Sequence, residues 1–462
     1  MPRRLLALLP LLIFLSIGSV SAQMTALVGG TVVNPGEAPA IEDAVVLIDG
    51  DTIAEVGTQE YVQIPEDAEV IDTSGQFIMP GLVDGHVHFF QSGGLYTRPD
   101  VIDLREVRPY EEELALILER LEDTFARYLR SGITSVVDVG GPMWNLEVRA
   151  RAQAMGRAPT VVTAGPLISP VQPEALTTDD PPILRIDEPE EARAEVRRQV
   201  EAGFDLVKIW YIVRPGETPD DYRPVVEATI DEAHALDTRV SVHATQLETA
   251  RAAVKAGADI LVHSVSDQRV DDDFIQKVVD NDVLYTPTLI VGERYQRVFA
   301  QQLDLLEPEK EWAQPDVVAS LTELPDLGDA VPSSIRARMD SEEPVASDST
   351  AMDNLRRLHE AGAAIVMGTD AGNIGTLHGP SVFREVELMK ESGLSPLQIL
   401  ETATVGGARL MGQADRRGTI EPGMLADLVI LNADPRADVA HWHEIDRVVK
   451  RGQVFAAEAL ME

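Results

Sequence analysis

Apolar residues in this chain follow two rhythms, and the rhythm changes twice along its length. Between residues 24 and 79 the apolar runs are short. Ala26-Leu27-Val28, Thr31-Val32-Val33, Ala44 to Ile48 and Thr52 to Val56 are separated by Gly, Asn, Pro and Asp-Gly. Runs of this length between turn formers predict β-strands. The far end has the same texture, with Ala426 to Leu431, Val448-Val449 and Gln453 to Phe455 following the turn residues Gly418 to Gly423. The middle alternates instead. Strand-like runs near 82–88, 133–139, 160–164, 205–210, 239–243, 259–264, 283–288 and 364–370 are separated by helical periods such as 111–130, 188–202, 224–236, 247–256 and 381–392. Alternating β and α units predict a parallel α/β sheet, and eight of them predict a closed (β/α)8 TIM barrel with its site at the strands' C-terminal ends. The expected organisation is a barrel over 80–415 and a small composite β-sandwich built from 23–79 and 416–462.

Two segments fall outside this pattern. Residues 293–350 are long, charged and helix-prone, and follow the seventh strand. A stretch of that length in a compact domain predicts an insertion, and here it would lie over the barrel mouth as a lid. Residues 1–22 carry Arg3 and Arg4, an apolar run from Leu5 to Val20 broken by Pro10, and the small-residue site Val20-Ser21-Ala22. That is the layout of a cleavable export signal, too short for a comfortable membrane span. It predicts a periplasmic or secreted protein with no membrane attachment after cleavage.

Composition narrows the partners. The 462 residues include 77 acidic and 39 basic side chains, a formal charge of −38. Such a surface repels phosphate backbones, which excludes nucleic acid as a natural partner. There is no cysteine, hence no disulfide framework. A small-molecule or dipeptide-like substrate fits, and a homo-oligomer is compatible with the sequence.

The chemistry lies at the ends of the central strands. Residues 80–88 read Pro-Gly-Leu-Val-Asp-Gly-His-Val-His. On an extended strand His86 and His88 point the same way, so two imidazoles can grip one cation from one side. Lys208 stands inside the apolar run Val207-Lys208-Ile209-Trp210. His243 ends Val240-Ser241-Val242, His263 ends Ile260-Leu261-Val262, and Asp370 ends Ile365 to Thr369. A lysine buried on such a strand loses basicity.

This conjunction resembles the binuclear-metal branch of the amidohydrolase superfamily, whose signature is H-x-H, a carboxylated lysine, two further histidines and an aspartate at barrel strand ends. Lys-Ile-Trp, His243-Ala-Thr, Gly-Thr-Asp370-Ala-Gly and Gly423-Met-Leu-Ala-Asp-Leu-Val-Ile narrow the resemblance to imidazolonepropionase-like and Xaa-Pro dipeptidase-like members. It implies two divalent metal ions, zinc by default, with His86, His88 and Asp370 on one and His243 and His263 on the other. Lys208, as a carbamate formed with carbon dioxide, would bridge them. It further implies hydrolysis of an amide (a dipeptide, N-acyl amino acid or cyclic amide) by a hydroxide held between the metals, with Asp370 moving the proton to the leaving group. A lactonase or organophosphate-type ester hydrolase using the same site, and a non-catalytic barrel, are the alternative readings. No glutamate closely follows His243, which fits a deaminase less well.

Secondary candidates are fewer. His378, Tyr211 and Arg214 are candidate substrate contacts, with Arg223 beside them. Asp138 reads as either a partner to the site or a loop cap. His234, His359, His441 and His443 read as helix or surface residues without a role.

Overall fold

The computed structural model describes residues 23–36 and 38–461, so the predicted export signal lies outside the described residues. Strands from both chain ends meet in one sheet. Thr25–Val32, Ile41–Asp49, Thr52–Thr58, Glu69–Asp72 and Phe77–Pro80 join Leu428–Leu431, Ile445–Lys450 and Gln453–Ala456. The seam is antiparallel, with Val429 opposite Met79 and Leu428 opposite Pro80. Both faces of this sheet are apolar. Ala26, Val45 and Leu47 pack on one side and Leu27, Val46 and Ile48 on the other, the alternation that a period of two requires. Hydrogen bonding joins all eight strands into one sheet rather than two.

The middle of the chain is parallel α/β. Leu82–Val87, Ile133–Asp138 and Thr160–Thr163 form one sheet. Leu206–Trp210, Arg239–His243, Ile260–Val262 and Leu284–Thr286 run in order in a second, extended by the short strands Leu167–Ser169 and Ile183–Arg185. The bridge Ala164–Leu206 links the two sheets. The expected eighth strand is irregular. Around it Ile365 bridges to Tyr285 and Ala371 bridges to Val87, and positive φ at Asp370 (60°) and Gly372 (109°) ends the extended repeat. Hydrogen bonds nevertheless continue on both sides of it: Val366 N–H to Tyr285 O at 2.9 Å, and Asp370 N–H to His86 O at 2.7 Å.

Side chains along these strands alternate between two apolar layers. Val137, Val162, Leu206, Ile260, Val262 and Val366 pack together on one side. Val136, Val161, Val207, Leu261, Ile365 and Met367 face the helices on the other. A parallel sheet covered by helices needs both faces apolar, which is why these runs read as continuous rather than alternating. The arrangement is TIM-barrel-like. Among the described residues no helix is long and apolar enough to cross a membrane.

Helix boundaries moved where local chemistry overrode periodicity. The run expected at 111–130 is two helices, Tyr110–Glu119 and Leu121–Arg130, broken at Arg120. The helix expected from 224 starts at Pro219, because Thr218 and Asp221 form a capping box ahead of it. The expected lid is helical. Leu289–Phe299 leads into Glu307–Trp312, Pro315–Ser320 and Ser333–Met339. Its apolar residues cluster with Leu95, Ile102 and Leu104 of the loop after the first parallel strand, and with Ile374 and Leu377. A fully buried ion pair, Arg294 to Glu309 at 2.6 Å, ties it down from within.

Candidate metal centre

Five of the six expected ligands meet in direct side-chain contact. His86 Nε2 lies 3.1 Å from Asp370 Oδ1, and His88 Nε2 lies 3.3 Å from both that oxygen and His86 Nε2. His263 Nδ1 is 3.9 Å from Asp370 Oδ2. The His243 ring centroid is 4.4 Å from that of His263. His86, His263 and Asp370 bring ligating atoms within 4.8 Å of one another. That trio crosses the expected division of ligands, which put His263 with His243. The sixth expected ligand, Lys208, opens onto the same cavity as His88, His243, His263 and Asp370.

Backbone geometry aims these groups. Leu206 packs in the apolar layer away from the helices and Val207 against the helices, so Lys208 follows Leu206 to the inner side. Strict alternation would put His263 on the outer side with Leu261. A left-handed φ of 72° at His263 breaks the alternation and turns the ring toward Asp370. Asp370 itself (60°) and Thr288 (44°) are also left-handed. Three non-glycine residues strained in one place is the pattern of a functional site.

Hydrogen bonds fix the rings. His88 Nδ1–H donates to Gly140 O at 2.7 Å, which leaves Nε2 free toward the centre. His263 Nδ1 pairs with the Thr288 hydroxyl at 2.7 Å. Asp138, one of the two readings left open by its sequence position, accepts from Phe89 N–H and Gly140 N–H, both at 3.0 Å, and so joins the loops behind His88.

Burial sets the protonation states. It holds His86, His243 and His263 well below the ordinary histidine range and pushes His88 down to about 3. Burial thus favours the neutral imidazole in all four, the ligating form. Lys208 is 1% exposed and its Nζ has no hydrogen-bond partner. Burial drives its ammonium down, opposed by the Asp370 carboxylate. Burial likewise pushes the Asp370 carboxyl up, and the charges of His88 and Lys208 oppose it. Asp370 Oδ1 and His86 Nδ1 also lack hydrogen-bond partners. Buried polar atoms without partners carry a steep cost. A cation among Asp370 Oδ1, His86 Nε2 and the neighbouring ring nitrogens would give the buried carboxylate oxygen a partner, so the residues fit divalent metal.

The secondary candidates fall elsewhere. His378 is buried behind the site, accepting from Tyr128 OH and donating to Gln91 O, each at 2.7 Å, and stacked on Phe89. Both ring nitrogens are bonded within the protein. Tyr211 turns away and donates to Pro219 O at 2.5 Å. Arg214 pairs with Glu217 at 2.7 Å on the outside, and Arg223 with Asp220 at 3.2 Å. None of these lines the cavity. The next-door Trp210 does, together with Arg98, Tyr295 and Asn373. Arg98 is gripped by Asp100 at 2.8 and 2.7 Å and, like the Tyr295 hydroxyl, donates to Asn373 Oδ1. Asn373 in turn donates to Asp370 O. Sequence reading missed these because they come from three separate segments, two loops and the helix Leu289–Phe299. Asp84, also missed, sat in plain view: a carboxylate in an apolar run two residues before the H-x-H pair.

The cavity encloses about 590 Å³. Its floor is the histidine, lysine and aspartate cluster, and its walls are largely apolar.

The amidohydrolase family matches this chain over residues 77–455. Imidazolonepropionase of Streptomyces griseus subsp. griseus is 27% identical over 424 residues, covering 87% of this chain and 88% of that protein. Among solved structures, a Xaa-Pro dipeptidase with methionine bound in its active site superposes with TM-score 0.72 at 22% identity, covering 94% of this chain and all of that one. Molinate hydrolase superposes with TM-score 0.71 at 21% identity, over 95% and 96% of the two chains.

Proposed function

The chain belongs to the amidohydrolase family and is a hydrolase of carbon–nitrogen bonds, and from that premise we propose that it cleaves an amide of the dipeptide, N-acyl amino acid or cyclic-amide class. The observation that carries this reading is the unpartnered Nζ of Lys208 facing the same cavity as His88, His243, His263 and Asp370. A neutral buried amine can take up carbon dioxide as a carbamate, whose two oxygens can serve two metals. His86, His88 and Asp370 would hold one divalent ion and His243 and His263 the second, with the Lys208 carbamate between them. Bound there, the pair would make water nucleophilic near neutral pH and polarise a carbonyl.

The protein's own groups do the rest. The buried Asp370 carboxylate takes a proton at Oδ1 or Oδ2 and hands it to the departing nitrogen, which must be protonated to leave. Its backbone is held by Asn373, which Arg98 and Tyr295 hold in turn. Apolar walls orient the substrate and exclude water beyond what reacts. We read residues 80–415 as a closed (β/α)8 barrel around this centre and the two chain ends as one accompanying domain. Export through residues 1–22 belongs to the same reading.

The test is metal content per chain on protein purified with bicarbonate, beside a Lys208→Ala variant, followed by panels of dipeptides, N-acyl amino acids, cyclic amides and lactones. Two metals that fall to one or none in the variant, with amide hydrolysis lost, support the proposal. One metal in both proteins, or turnover of lactones alone, would overturn it.

A further inference from the structure

Among the described residues, one arginine of the cavity lining has no ion-pair partner. Arg338 lines it from the helix Ser333–Met339, which buries none of its own residues. Its only side-chain hydrogen bond is to Gln296 Oε1, at 3.3 Å. Among the described residues it forms no ion pair, although the chain carries 77 acidic side chains against 39 basic ones. The other charged groups of the lining are engaged. Arg98 is clamped by both oxygens of Asp100. Asp348 accepts from Thr350 N–H and Ala351 N–H at 2.9 and 3.0 Å and caps the helix Ser349–Glu360. Lys208 and Asp370 belong to the floor. Elsewhere the lining is largely apolar, with Leu167, Ile183, Trp210, Ile212 and Phe299 among its residues.

An exposed guanidinium without an ion-pair partner at the edge of a largely apolar cavity is suited to recognise an anion, since its planar fork matches a carboxylate. The apolar lining sets what the rest of the ligand must be. We infer that Arg338 is a specificity residue that binds a carboxylate at the end of the substrate remote from the bond cleaved. The substrate is therefore an amide with a bulky apolar portion and a terminal anionic group. This rests on the amide-hydrolase reading above. Gln296, one turn beyond Gly292 on the cavity helix Leu289–Phe299, holds the guanidinium over the opening. Arg338 acts on binding and not on the chemical step, because it is not part of the floor.

The experiment uses the metal-loaded enzyme and two matched compounds in which an aromatic ring separates the amide from the terminal group, 3-(4-acetamidophenyl)propanoic acid and its carboxamide. Wild type, Arg338→Ala, Arg338→Lys and Arg338→Glu are compared on both. Wild type is expected to favour the acid by about five- to tenfold in KM, as an ion pair near solvent allows. Arg338→Ala removes the preference with kcat within about twofold, Arg338→Lys keeps part of it, and Arg338→Glu favours the carboxamide. A preference for the acid that survives unchanged in Arg338→Ala and Arg338→Glu overturns the inference. If neither compound is turned over, the amide-hydrolase reading is what fails for this class. The same pair is then read as ligands by calorimetry, where the same order of affinities supports the role of Arg338 and equal affinities across the variants overturn it.

Discussion

Thr369 clasps Asp84 twice, its backbone N–H donating to Oδ1 at 3.0 Å and its hydroxyl to Oδ2 at 2.6 Å. Asp84 also accepts from His86 N–H at 3.3 Å. One buried carboxylate thus ties the strand bearing His86 to the segment bearing Asp370. Asp84→Ala leaves three buried donors without partners, and a loss of about 2–4 kcal/mol of stability is expected. Asp84→Asn keeps one acceptor oxygen and costs less. Urea unfolding of both variants without added metal reads this. If Asp84→Ala stays within about 0.5 kcal/mol of wild type, the clasp holds nothing.

His378 serves the fold rather than the substrate. With both ring nitrogens bonded and the ring stacked on Phe89, His378→Asn should lower stability by about 1–3 kcal/mol and leave KM unchanged. Burial pushes this histidine down to about 4 from its usual 6.5. A depressed pKa means the unfolded chain binds more protons over that window, so the contribution is full above pH 6.5 and lost as pH falls toward 4. The stability gap between wild type and His378→Asn should therefore narrow between pH 7 and pH 4. A constant gap, or a changed KM, would restore His378 as a site residue.

Thr288 holds His263 at the cost of its own backbone, since a β-branched residue at φ 44° is strained. Thr288→Ala loses the hydroxyl on Nδ1 and relieves part of that strain. The two effects have opposite signs. Metal affinity, read by chelator competition, should fall roughly 10- to 100-fold, while thermal stability of the metal-free protein holds or rises slightly. Thr288→Ser should restore the affinity. Equal affinities in all three proteins would mean that the hydroxyl does not orient the ring.

Much of this centre was legible because its ligands sit at strand ends, where a polar residue closing an apolar run stands out. His86, His88, His243, His263 and Asp370 each did so, and Lys208 stood out as a charge inside such a run. What the spacing did not reveal was grouping: His263 approaches Asp370 and His86 because of a left-handed φ that no periodicity encodes. The substrate side was hidden for a different reason. His378 and Arg214 look like site residues by their nearness to Asp370 and Lys208 in sequence, but a loop residue's direction is set by its partners in space. For His378 those are Tyr128 and Gln91, far away along the chain. Arg98, Tyr295 and Asn373 meet only once two loops and the helix Leu289–Phe299 are packed together. The helix start after Thr218 likewise followed local capping rather than the apolar period.

Gly292 offers a way to measure how much of the cavity the substrate uses. It lies in the cavity helix Leu289–Phe299, and a Cβ built on it meets nothing within 4 Å. Glycine inside a helix is less favourable than alanine because its unfolded backbone is freer, so Gly292→Ala should raise stability by about 0.5–1 kcal/mol. Larger side chains have the same open space to enter, but it is the space the substrate's apolar portion would need. Gly292→Phe should therefore fold normally and lose about tenfold or more in kcat/KM on bulky N-acyl substrates, while small acyl substrates are spared. The loss should appear chiefly in KM, since the floor residues are untouched. If Gly292→Phe weakens bulky and small substrates alike, the apolar wall is not where the substrate lies, and the cavity's size says nothing about what the enzyme selects.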